Sequence, residues 1–143
     1  MKTLSLLAPW GWLIPHGLKK IETRSWRTEY RGRIAIHVSA RFSKEQRKLC
    51  VLEPFLSALC AYKSPPDLWR GCVIGTAELF DCVPTFVDGI PNVRQPARIS
   101  NEFAFGDYSA ERWMWFLRDA RQFKEPVPAK GMLGLWEWNG SEP

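Results

Sequence analysis

In Arg33-Ile34-Ala35-Ile36-His37-Val38-Ser39, β-branched apolar residues fall at every second position, the period of a strand with one face in a core. Ile34, Ile36 and Val38 form that face. Ala35, His37 and Ser39 look the other way, where small and polar side chains suit the floor of a cleft. The longest strand signal runs from Gly71 to Val83. Gly75 in its interior predicts a bulge or a close approach of backbone or ligand. Glu78 interrupts an otherwise apolar run and shares its face with Thr76 and Phe80. Shorter strand patterns cover Thr3–Leu7, Lys20–Trp26, Gly32–Ser39, Trp113–Leu117 and Leu133–Trp138, and Glu102–Tyr108 reads as a short strand entering a turn.

Helical signals are fewer. Pro9 to Ile14 reads as one short helix with proline near its start. The spacing of Trp10 and Trp12 places them on different sides of it, so one is free to line a surface or cleft. Ser43 followed by Gln46 is a capping box. Leu49, Leu52, Leu56 and Leu59 then recur at helical spacing, and Pro54 splits them into two pieces or a kink. Lys63–Asp67, Thr85–Arg98 and Pro126–Gly131 read as loops. Many short strands with two to three helices predict an α+β barrel.

At 143 residues the chain is read as a single domain, 1–143. No apolar run reaches the roughly 20 residues that span a bilayer, and Pro9-Trp10 arrives too early for a secretory core. The expected location is cytoplasmic. Cys50, Cys60, Cys72 and Cys82 form no C-x-x-C pair and no zinc spacing, and their apolar neighbours predict buried, reduced thiols. No metal and no cofactor is expected. The net charge of +5 is uneven: between Lys19 and Lys48 ten cations face three acids, which makes that segment +7. An excess of arginine over lysine there suits phosphate, so the charge raises nucleic acid as a partner.

The segment Gly17-Leu18-Lys19-Lys20-Ile21-Glu22-Thr23-Arg24-Ser25-Trp26 concentrates the candidate chemistry. If extended, it puts Lys20, Glu22 and Arg24 on one face, and Gly17 lets the chain turn sharply into it. Read blandly, it is an edge strand guarded by charges. Nucleophile elbows, H-E-x-x-H, Walker loops and dinucleotide fingerprints are all missing from the sequence. His16 sits in a Pro-His-Gly turn, and His37 is the better placed histidine.

Gly17, Lys19, Glu22 and Arg24 fit the G-x-K-x-x-E-x-R pattern, and on these residues the chain resembles the ASCH domain family of the PUA-like superfamily. Arg27-Thr28, Tyr30-Arg31-Gly32 with Ile34-Ala35-Ile36-His37, Gly106-Asp107-Tyr108 and Pro126 to Trp138 extend the resemblance across nearly the whole chain. It implies a PUA-like β-barrel. It also implies a link to amidohydrolases that deacylate N(4)-acetylcytidine, whose site combines a lysine, a threonine three residues later and a glutamate from another strand. Lys19 matches the lysine and Glu78 the glutamate, but Glu22 stands where the threonine nucleophile belongs. Thr23 is adjacent, and a one-residue shift in a strand turns it to the opposite face.

The expected function is binding of RNA or a modified nucleoside in a basic cleft. Trp10, Trp26 and Tyr30 are the stacking candidates. Lys19, Arg24, Arg27 and Arg31 are the phosphate candidates, with His37 and Ser39 on the cleft floor. One alternative is a hydrolase on the same cleft, an amidohydrolase or ribonuclease using Lys19, Glu22 and Glu78. A second, implied by relatives in regulatory assemblies, is a protein-interaction module.

Overall fold

A computed structural model describes residues 1–60 and 68–143; the loop expected at Lys63–Asp67 lies outside the described residues. The elements run in chain order β1 (Lys2–Leu6), α1 (Trp10–Leu13), β2 (Ile21–Arg24), β3 (Gly32–Val38), α2 (Lys44–Cys50), α3 (Phe55–Cys60), β4 (Cys72–Pro84), β5 (Phe86–Val87), β6 (Ile90–Pro91), α4 (Asn101–Ala104), β7 (Trp113–Pro128) and β8 (Leu135–Glu137). The main sheet has the order β2-β7-β4-β3-β1-β8. Among the described residues only β1 and β3 pair in parallel. The chain is thus α+β, as its alternation predicts.

The sheet curls. Arg24 on β2 donates from Nη2 to the Ser5 carbonyl on β1 at 2.8 Å, although β7, β4 and β3 separate the two strands in the sheet. Neighbouring strands lie roughly 4.8 Å apart, so a flat sheet would hold β1 far beyond the reach of an arginine. Curvature brings the edge strand over β1 and makes a half-barrel. Inside it, Leu4, Leu6, Ile34, Ile36, Ala77, Leu79 and Trp115 form one buried cluster.

Several local signals act as the sequence predicts. Ser43 and Gln46 form the reciprocal capping box of α2, and Pro54 separates α2 from α3. Gly75 lies at a register shift between β4 and β7. A Cβ there would stand 2.3 Å from the Arg121 carbonyl oxygen and 2.8 Å from Pro15 Cβ, so only glycine admits the neighbouring backbone. Gly17 has φ +73°, the left-handed turn that delivers Lys19 to β2. Trp12 is buried and Trp10 half-exposed.

Other readings are corrected. Residues 102–108 are not a strand: Ser100 caps α4 by accepting from the Phe103 amide, and this local bond outcompetes the alternation of Phe103 and Phe105. The loop expected at Thr85–Arg98 contains the β5–β6 hairpin, turned by Asp88-Gly89. β7 continues to Pro128, into the expected Pro126–Gly131 loop, because its long second half pairs with β4. The face of β3 bearing Ala35 and His37 does not floor the cleft beside β2. Ala35 is fully buried with Val73, Phe123, Trp136 and Trp138, which fold over that face. Cys72 is buried and its thiol is pushed up to about 11 by desolvation, but Cys60 is exposed at the end of α3. No helix among the described residues is long and apolar enough to cross a membrane.

Candidate nucleic-acid site

β2 supplies the centre of the site. Glu22 is 8% exposed and Lys19 1%, so burial draws the charges together. Lys19 Nζ donates to the carbonyls of Ile21 and Phe105, the latter at 3.0 Å, and stands 3.7 Å from Glu22 Oε1. The other Glu22 oxygen is 3.2 Å from Arg24 Nη2, and Oε1 also accepts from the Thr23 amide. Burial holds the Lys19 ammonium below the usual lysine range, against the opposing pull of Glu22 and Glu102. Its protons are therefore spent inside the fold. Lys19 sets the position of Glu22 and of the Phe105 backbone, while Glu22 and Arg24 present the chemistry.

That pair lines an open cleft of about 420 Å³. α1 contributes Trp10, whose ring meets Phe55 edge-on at 6.1 Å between centroids. The segment after α4 contributes Phe105, Gly106 and Asp107. Thr23 fastens this segment: its Oγ1 accepts from the Asp107 amide at 3.0 Å. Arg112 donates from Nη2 to the Thr23 carbonyl and from Nε to the Asp107 carbonyl. Thr23 thus borders the same cleft as Glu22, although alternation assigns it to the other face of the strand.

The remaining candidates divide. Glu78 does not join Lys19 and Glu22: its carboxylate takes both Nε and Nη2 of Arg118 on β7, which holds it below the usual carboxylate range. Its register on β4 opposite Arg118 turns it out of the cleft. The second carboxylate near Lys19 is Glu102 on α4, which accepts the backbone N–H groups of Lys20 and Ile21. Trp26 packs edge-on against Trp115 at 4.6 Å, and Tyr30 donates to the Arg33 carbonyl. Arg27 pairs with Glu29 and lies over Trp113. Arg31 donates to the carbonyls of Thr28 and Tyr30 and faces Asp81. None of these four lines the cleft. His37 and Ser39 line a second cleft that adjoins the first.

Glu102, Phe105, Asp107 and Arg112 were not among the sequence candidates. Ser100 ahead of Asn101-Glu102 was the legible sign that Glu102 opens a helix. Nothing local announces the backbone contacts of Phe105 and Arg112, which arise only from packing. Among the described residues no group of three or more His, Cys, Asp or Glu is placed to hold a metal ion.

Comparison with known proteins agrees with the motif. The ASCH domain family model matches residues 4–127. Activating signal cointegrator 1 of Homo sapiens is 26% identical over 138 residues, covering 94% of this chain and 22% of that protein. The Mus musculus protein of the same name is 25% identical over the same length. The chain therefore spans about a fifth of the curated relatives it matches. A crystal structure of a mutant ASCH protein from Zymomonas mobilis aligns over 89% of this chain and 74% of its own, with TM-score 0.47 and 17% identity.

Proposed function

The chain belongs to the ASCH domain family, a PUA-like RNA-binding fold, and from that premise we propose that it binds RNA or a modified nucleoside in the cleft bordered by Trp10, Glu22, Arg24 and Asp107. The observation that carries this reading is the Glu22–Arg24 pair, held at 3.2 Å on the cleft wall. A carboxylate accepts from N–H groups and a guanidinium donates to carbonyl or ring nitrogen atoms. Side by side, they complement a base edge that carries a donor next to an acceptor. The half-exposed Trp10 ring offers a stacking surface, a contribution of about 1–3 kcal/mol per base.

Two features support binding over hydrolysis. Lys19 is buried and bonded to two carbonyls, so it has no ready proton for a leaving group, and Glu78 is engaged with Arg118. The cointegrator name belongs to relatives far longer than this chain, and an interaction module remains the alternative to test. Binding of labelled RNA and of single nucleosides decides among these readings. Glu22→Gln keeps the shape and removes the charge, and is expected to weaken nucleoside binding about tenfold, near 1.4 kcal/mol, while Glu78→Ala leaves it unchanged. Wild-type affinity in a folded Glu22→Gln protein would overturn the site. RNA affinity that ignores salt would favour the interaction module, because phosphate contacts release counterions.

A further inference from the structure

We infer that the cleft beside Glu22 and the adjoining cleft under residues 129–134 form one site for two phosphodiester-linked nucleotides, rather than for a free nucleoside. This rests on the reading of the first cleft as a nucleoside site. The second cleft measures about 440 Å³ and shares Ser5, Leu6, Leu7 and Arg24 with the first. Each falls within the range of small-ligand sites, roughly 300–1,000 Å³, and Arg24 stands where they meet.

Arg24 is arranged for a ligand that crosses from one cleft to the other. Its Nη2 is held by Ser5 and Glu22, which fixes the plane of the guanidinium. Its Nη1 takes no partner among the described residues, and the side chain is 25% exposed. A phosphate bridging two nucleosides would meet the remaining Nη1 of a positioned arginine, one charge-assisted hydrogen bond to a phosphate oxygen.

The second cleft has the features of a base or ribose pocket. Lys130 is exposed at its border. Met132 and Leu133, 53% and 98% exposed, give it an apolar rim. At the inner wall, His37 is 2% exposed and its Nε2 lies 2.9 Å from the Ala129 carbonyl. A carbonyl only accepts, so Nε2 carries the proton and Nδ1 is left as an acceptor. That Nδ1 is buried without a partner. Residue 131 is glycine at this spot: a Cβ there would stand 2.8 Å from Nδ1, 2.5 Å from His37 Cε1 and 2.8 Å from Ser5 Oγ. Gly131 therefore packs directly on the imidazole and Ser5, and its lack of a side chain lets residues 129–134 close down to form this wall of the cleft.

The test compares the four ribonucleosides with the four matching homodinucleoside monophosphates by calorimetric titration. At least one dinucleotide is expected to bind about tenfold tighter than its nucleoside, because the linker makes the second contact intramolecular. Gly131→Ala forces residues 129–134 away from His37 and Ser5, which deforms the second cleft, and is expected to shrink that ratio. Lys130→Gln, at an exposed position, does the same by removing charge and keeps the test open should Gly131→Ala fail to fold. Nucleoside binding with no dinucleotide gain overturns the two-cleft inference and leaves the Glu22 reading standing, as does a full gain in folded forms of both variants. Failure of both ligand classes to bind overturns both readings.

Discussion

Lys19 Nζ lies 3.7 Å from Glu22 Oε1 with the lysine side chain wholly buried and the glutamate nearly so. One turn of chain separates the two residues in sequence, yet the contact depends on α4 and the Phe105 carbonyl closing over it. Removing one partner of a buried pair strands the other. Lys19→Met is expected to lower unfolding stability by about 3 kcal/mol, at the low end of that class because Arg24 still faces Glu22. Urea denaturation measures it. A loss within experimental error would mean that the ammonium is not needed to hold Glu22, and that Lys19 is free for other work.

Arg27 and Arg31 are two arginines of the basic segment that lie outside the clefts, and the Arg27 side chain is 63% exposed. The double variant Arg27→Ala/Arg31→Ala is expected to weaken binding of unrelated RNA oligonucleotides to a similar degree. It should also flatten the salt dependence by roughly one to two ions, with nucleoside affinity untouched. An unchanged salt slope would remove this surface from the RNA path.

Gly75 is the tightest backbone approach in β4, with the Arg121 carbonyl oxygen 2.3 Å from where a Cβ would sit. Gly75→Ala is expected to cost about 1–3 kcal/mol, the range for overpacking. Because β4 and β7 are both interior strands of the sheet, the loss should appear as a lower thermal midpoint without a change in cooperativity. A midpoint equal to wild type would show that the strands part easily at this bulge.

Stability should depend on pH through histidine before the carboxylates. Burial holds His37 below its ordinary value of 6.5, and His16 is lowered by the same cause. The unfolded chain then binds protons that the folded one refuses, so stability is full above the ordinary value and falls as pH drops below it. Carboxylates held down by partners, such as Asp81 by Arg94 and Glu137 by Lys2, add their loss only in more acidic solution. Thermal midpoints measured from pH 7 to 5 should fall, and His37→Gln should make that fall shallower, with His16 accounting for the remainder. An identical slope in the variant would mean that His37 is protonated freely in the folded state.

The chain alone determined what depends on near neighbours. Strand alternation in Ile34–Val38, the Ser43–Gln46 box and the break at Pro54 are all set by backbone geometry over a few residues. The motif Gly17–Arg24 likewise marked the family and the strand that bears Glu22 and Arg24. Tertiary structure decided which of the charges meet. Alternation says that Glu22 and Arg24 share a face, but not that Lys19 will be sealed beneath Phe105. Nor does it say that Glu102 rather than Glu78 will be the second carboxylate beside Lys19. Those outcomes follow from curvature of the sheet, which brings β2 over β1, and from α4, whose cap bond is local but whose target is not. A charge count over residues 19–48 treats Arg24, Arg27 and Arg31 alike; only the curled sheet separates the one in the cleft from the two outside it, because contacts between distant strands carry no trace in local spacing.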